Sequence, residues 1–200
     1  MAGTIARLEE HSFGLTWLMD EGTQRASHAL RAGGRVWLVD PVDHPEAMDL
    51  VGGLGAPAAV LQLIDRHNRD CAAIAQRLGV PHLTAPDAVA DAPFQTIAVL
   101  RLRRWQERAL WWEQERVLVV AEAIGTAEVF TLGHGPAGMH PLLRPFPPGA
   151  LRGRRPEHLL CGHGPPVHGR EAREGVDWAY AHARRDLPRL PRTLARVARG

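Results

Sequence analysis

The residues with chemistry in them crowd into one short stretch. In LIDRHNRDC, residues 63–71, an apolar run ends in Arg66, His67, Asn68, Arg69, Asp70 and Cys71. A second set follows later: Glu122 after an aliphatic run, His134 and His140 in a segment rich in proline and glycine, and His163 between two glycines. Imidazole, carboxylate and thiolate are the side chains that bind zinc and iron. A loop of the type HxHxDH gathers them because residues two apart in extended chain point the same way. Two imidazoles then reach one ion, and the following Asp and His serve a second. Laid on that spacing, this loop places Arg66, Asn68, Asp70 and Cys71 at the four ligand positions and His67 on a spacer.

Of those four, only Asp70 is an ordinary ligand of such a loop. Cys71 could ligate as a thiolate. Asparagine offers a weak carbonyl oxygen, and arginine offers no lone pair. A guanidinium ~4 Å from a divalent ion, at an effective dielectric near ~20, is repelled by about 8 kcal/mol. Structural zinc binds with roughly 10–16 kcal/mol, so that repulsion removes much of the affinity. The expectation is a former metal site in which the charge of Arg66 replaces that of an ion, through pairing with Asp70 or Glu122.

Asp70 also reads as a residue at a helix N-terminus, and Cys71 as a small buried residue. His163 has a structural reading in its tight turn beside a site reading. Glu122 is equally readable as a strand-end ion pair, and His134 and His140 as exposed loop residues. Trp111 and Trp112 are expected on opposite faces of a strand, one in the core and one partly exposed.

The elements that must hold these residues alternate between strand-like and helix-like. FGLTWLM (13–19), VWLVD (36–40) and AAVLQLI (58–64) read as strands, with a turn at Gly33 and Gly34. PEAMDLVGGL (45–54) begins with Pro45 and ends in glycines, as a short helix does. RDCAAIAQRLG (69–79) carries an apolar stripe through Ile74, Ala75 and Leu78 and stops at Gly79. TIAVLRLR (96–103), ALWWEQ (109–114) and RVLVVAEAI (116–124) read as consecutive antiparallel strands. Residues 133–156 read as loop, 158–164 as a strand running into a Gly-His-Gly turn, and 170–187 as a helix. This order suggests an α/β sandwich. There is no Walker loop.

Two hundred residues, 45% of them hydrophobic, suit one domain with a real core. Residues 1–187 are expected as that domain and 188–200 as a mobile basic tail. A formal charge of +2 gives no gross commitment to nucleic acid or an acidic surface. All 24 basic residues are arginine, and two cysteines make no disulfide framework. The opening residues lack the pattern of a signal peptide, and no apolar run approaches the ~20 residues of a membrane span. A cytoplasmic location is the resulting expectation.

Four pieces in order resemble the metallo-β-lactamase superfamily: VWLVDP (36–41), AAVLQLIDRHNRDCAAIAQRLGVP (58–81), VLVVAEAIG (117–125) and LLCGHGPPV (159–167). The resemblance spans most of residues 10–185. It implies an αββα sandwich with a site along one edge of two sheets, and hydrolytic or redox chemistry at one or two zinc or iron ions. It places Glu122 at the bridging carboxylate and His163 at a late ligand. The middle histidine has only His134 and His140 as candidates, both after the carboxylate strand.

The leading expectation is a diverged member with a degenerate metal site and no cofactor, not a classical hydrolase. Its former site, made of Arg66, His67, Asn68, Asp70, Cys71, Glu122, His140 and His163, would bind a small molecule or a protein partner. The alternative is a metal-dependent hydrolase using zinc or iron with ligands drawn from Asp70, Cys71, Glu122, His163 and His140. A third reading gives nucleic-acid binding to the six arginines at 184, 185, 189, 192, 196 and 199. No aromatic residue interleaves them and no specific nucleic-acid motif is present. A homodimer is an open expectation.

Overall fold

The computed structural model describes residues 3–197. Its first sheet runs β1 (Ile5–His11), β2 (Gly14–Met19), β3 (Ala26–Ala32), β4 (Arg35–Val39), β5 (Ala56–Gln62) and β6 (His82–Thr84), with neighbours in that same order. The first four strands are antiparallel. β4, β5 and β6 are parallel, because helices α1 (Pro45–Gly52) and α2 (Cys71–Leu78) supply the crossovers. The second sheet contains β7 (Gln95–Leu102), β8 (Trp105–Trp112), β9 (Val117–Val120), β12 (His158–Cys161) and β13 (Val167–His168), ordered β13-β12-β9-β8-β7. Between β9 and β12 lie a two-strand ribbon, β10 (Ile124–Gly125) with β11 (Gly138–Met139), and the one-turn helix α3 (Glu128–Thr131). Helix α4 (Gly169–His182) follows β13 and packs on β12, β13 and β11.

Side-chain alternation sorts the core into layers. On the first sheet Leu15, Trp17, Met19, Val36, Leu38 and Val60 face outward, onto Ala47 and Val51 of α1 and Ile74 and Ala75 of α2. Their neighbours Trp37, Val39, Ala59 and Leu61 face inward, onto the second sheet. Both faces of each central strand are therefore covered, which is why β2 and β9 are buried at every position. The same cover buries both Trp111 and Trp112, at 5% and 6% exposure, so the expected exposed partner does not exist. The architecture is an αββα sandwich.

Two further expectations change. β1 was not expected at all. Residues 188–197, read as a mobile tail, form part of a 3₁₀ turn (Leu187–Arg189) and helix α5 (Leu190–Val197), which packs against α3 and buries Thr193. Pro191 falls in the first turn of α5, where a missing N–H is harmless. Arg199 lies outside the described residues, as do Met1 and Ala2 of the opening segment. No described helix is long and apolar enough to cross a membrane.

Candidate metal centre

The site forms where β4, β5, β9 and β12 all end. Glu122 stands two residues past β9, His163 two past β12, and His67 in the loop after β5. His67 Nδ1 lies 2.6 Å from Glu122 Oε1, and His163 Nε2 lies 3.8 Å from the same oxygen. One ligand atom from each of the three lies within 4.8 Å of the others. Glu122 is nearly fully buried, and its Oε2 has no hydrogen-bond partner among the described residues. Burial pushes its carboxyl up, but His163 and His67 outweigh burial and hold it well below the usual carboxylate range. Glu122 is therefore an anion throughout the neutral range.

Two of the three, His163 and Glu122, are held from behind. His163 Nδ1 donates to Thr23 O at 2.8 Å, which leaves Nε2 as the nitrogen facing Glu122. Its ring stacks on Phe130 at 5.6 Å. The turn around it requires glycine on both sides. A Cβ on Gly162 would lie 2.3 Å from Ala121 O. One on Gly164, at φ +93°, would lie 2.1 Å from Ala127 N.

Behind Glu122 sits Glu107 of β8, wholly buried. Its Oε1 accepts from the backbone N–H groups of Glu122 and Ala123, both at 2.8 Å. Burial raises its pKa to about 7. Sequence reading missed this residue; the available signal was an acidic residue inside the tryptophan-rich strand WQERALWW.

The arginine roles are also reversed. Arg66 is exposed, with its guanidinium 4.3 Å from the centroid of the Trp105 ring. It pairs with no carboxylate among the described residues, so the expected bridge to Asp70 or Glu122 is replaced by a cation–π contact. Arg69 turns inward instead. Its Nη1 donates to Ala26 O at 2.5 Å and Asp40 O at 2.6 Å, and its Nη2 to Gly162 O at 2.7 Å. Asp40, buried beside it, accepts from Leu63 N at 3.0 Å. Burial lifts the Asp40 carboxyl to about 6, with Arg69 opposing.

The other predicted residues do not join the three. Asp70 Oδ2 accepts from Asp43 N at 2.8 Å and ties the chain after β4 to the start of α2. Cys71 is fully buried in the outer core, where burial pushes its thiol up to about 12, so it is no thiolate at neutral pH. Asn68 Oδ1 accepts from Gln62 Nε2 at 3.3 Å. His140 lies nearby, its ring 5.0 Å from Trp105 and 5.7 Å from Phe130. Its Nδ1 accepts from Leu142 N, so that nitrogen is occupied. Burial drops its pKa to about 4. His134 is remote from the site and pairs with Asp186 at 2.9 Å.

No family model matches the sequence, and no curated protein does. Solved structures do. A DIM-1 metallo-β-lactamase exposed to ceftazidime superposes with a TM-score of 0.56 at 9% identity, over 90% of this chain and 99% of the other. The chemotaxis sensor ODP, solved as a peroxy diiron species, matches at 0.56 and 12%, over 89% and 94%. A metallo-β-lactamase from Erythrobacter litoralis matches at 0.56 and 12%, over 92% and 96%. The chain has the metallo-β-lactamase fold.

Proposed function

We propose that this chain is a metal-dependent hydrolase whose centre is a single ion held by His67, Glu122 and His163. One observation carries the reading. Two imidazole nitrogens and a buried carboxylate with an unpartnered oxygen converge at the strand ends of a fold whose solved members include metallo-β-lactamases. Two histidines and a glutamate are a known catalytic zinc set, with one position left for water or substrate. A bound zinc or iron ion would polarise a carbonyl or phosphoryl oxygen and acidify a water. Asp70 and Cys71 are left out of the ligand set by their own hydrogen bond and burial, and His140 lies outside the group whose ligand atoms fall within 4.8 Å of one another.

The chain's own residues supply the rest. Thr23 O fixes the tautomer of His163. Glu107 holds the backbone of Glu122 and Ala123 through their N–H groups and so positions the segment that carries the carboxylate. His67, with a side chain 45% exposed, leaves one side of the centre open to solvent. Arg66, exposed and 4.3 Å from the centroid of the Trp105 ring, presents a guanidinium to an anionic group of a substrate.

A second reading keeps the site ion-free and assigns it to binding a small molecule or partner. The 2.6 Å contact between His67 and Glu122 favours it, because the pair is already satisfied without an ion. Elemental analysis after separate incubation with zinc, iron and manganese decides. Iron belongs in the set because one structural neighbour was solved with a diiron species. An equivalent of metal that disappears in both Glu122→Gln and His163→Ala, whatever the rest of the chain retains, supports the hydrolase and justifies a screen of ester and phosphoester substrates. A folded protein whose metal content is the same with and without Glu122→Gln favours the vacated site.

A further inference from the structure

A second group of ligand-type side chains lies at the other end of β12, remote from the centre just described. His158 opens that strand and His163 follows its end, so five residues of extended chain, roughly 16 Å, separate the two places. Here β1, the edge of the first sheet, meets β13, the edge of the second. Glu9 and His11, two apart on β1, point to the same side. His168 of β13 faces them. Its Nε2 lies 2.6 Å from Glu9 Oε1, and His11 Nδ1 lies 3.8 Å from the same oxygen. One ligand atom from each residue lies within 4.8 Å of the others.

We propose that Glu9, His11 and His168 form a zinc site that staples the two sheets together along their edges.

Three features carry this. The first is spacing. Ligands about 2.0–2.1 Å from a tetrahedral ion stand about 3.3 Å apart, and the two contacts bracket that value from either side. Small side-chain rotations therefore accommodate an ion without moving either strand.

The second is orientation. His11 Nε2 is hydrogen-bonded to Thr16 Oγ1 at 3.0 Å. That hydroxyl meets His28 Nδ1 at 3.0 Å, and His28 Nε2 donates to Cys161 O at 3.1 Å. His168 Nδ1 is bonded to His158 Nδ1 at 2.8 Å. In both proposed ligands the far nitrogen is tied down and the near one faces Glu9. Outer partners of this kind orient metal-binding histidines and set their tautomers.

The third is charge. Arg7 takes Glu9 Oε2 at 2.5 Å and leaves Oε1 to the histidines. Arg7 is half exposed, so its guanidinium can move away when an ion adds positive charge. The ring of His11 is stacked on Phe13 at 4.9 Å, and Phe13 also touches His158, so the cluster sits on a packed floor. An ion here binds only the folded chain, and so stabilises the closed pair of sheets.

The test uses the full chain carrying His67→Ala, which removes a ligand of the other centre by a change on an exposed loop. Failure of the hydrolase reading therefore does not touch the result. Chelator-treated protein is titrated with zinc alone by calorimetry, and its Tm is recorded with and without zinc. The expected result is one equivalent bound and a raised Tm. Adding His168→Gln should weaken binding by more than the roughly 10–100-fold that loss of an outer partner costs. Glu9→Gln should do the same and provides an independent check if the histidine variant folds poorly. Absence of both zinc binding and a Tm shift, in protein shown to be folded by circular dichroism, overturns the proposal. So does binding that Glu9→Gln and His168→Gln leave unchanged.

Discussion

Replacing Arg69 by alanine should destabilise this protein more than any other single change near the site. The guanidinium joins three carbonyls from three parts of the chain: Ala26 at the start of β3, Asp40 after β4 and Gly162 after β12. Hydrogen bonds from a charged donor contribute about 1.5–3 kcal/mol each, and a stranded buried acceptor costs about 1–3 kcal/mol. Gly162 O also accepts from Ala26 N at 2.9 Å, so truncation leaves the other two carbonyls worst off. Partners in one network do not add fully, which puts the loss at about 3–5 kcal/mol. Total stabilities of about 5–15 kcal/mol make that a large fraction.

The assay is urea unfolding followed by tryptophan fluorescence. With an m-value of about 2 kcal/mol/M, the midpoint should fall by about 1.5–2.5 M. Arg69→Lys should recover less than half of this, because one ammonium cannot span carbonyls held by a planar fork. A midpoint shift below about 0.5 M at unchanged m would refute the view that Arg69 cross-links the strand ends.

Three further outcomes follow from the buried polar groups and the turn. His28 is fully buried and neutral, with its pKa lowered by burial to about 3. Its unfolded value is higher, so its contribution is present above about 6.5 and is lost as pH falls. Between pH 7.5 and pH 5 stability should drop by about 2 kcal/mol, and unfolding curves of His28→Gln should lack that share. Glu107 has the opposite sign. Its folded pKa of about 7 exceeds the unfolded one, so its contribution is greatest in acid and declines as pH rises from about 4.5 through about 7. Urea midpoints of Glu107→Gln should show a flatter profile across that window, whereas an unchanged profile would mean that Glu107 is ionised throughout. Gly162→Ala drives a methyl group into Ala121 O and should cost at least ~2 kcal/mol by thermal unfolding, with the His163 turn displaced.

Much of the fold was legible because it rests on apolar pattern. The aliphatic runs that became β4, β5 and β9, the stripe on α2 and the glycine after it are all local signals. β1 was not legible. IARLEEH has no apolar alternation, because an edge strand buries little, and its Glu9 and His11 carry chemistry instead of core. Trp111 and Trp112 misled for a related reason: alternation says that they face opposite ways, but only the second layer of cover decides that both are buried. Glu122 and His163 could be placed because each follows a strand end within two residues. Glu107 could not, since its role depends on the backbone of a neighbouring strand reached only through sheet pairing.

The loop at 66–71 shows why ligand spacing alone picked the wrong members. In extended chain, Arg66, Asn68 and Asp70 would share one side, with His67 and Arg69 on the other. That division holds up to Arg69, which has a φ of +45° in the left-handed region, where the chain leaves extended geometry before α2. His67 and Arg69 both turn inward, to Glu122 and to the three carbonyls, while Arg66 is left on the outer face of Trp105. Asp40, whose carbonyl receives Arg69, is itself left-handed at φ +43°. Two strained non-glycine residues in direct contact mark the place where the chain gives up regular geometry to hold a cation. That cation is permanent and sits on the Asp40 side of the site, while His67, Glu122 and His163 converge on the other. A second ion beside Arg69 would meet the full repulsion of a guanidinium that cannot leave its three carbonyls. If the proposed centre holds metal, the fixed charge of Arg69 beside it leaves room for one ion rather than two.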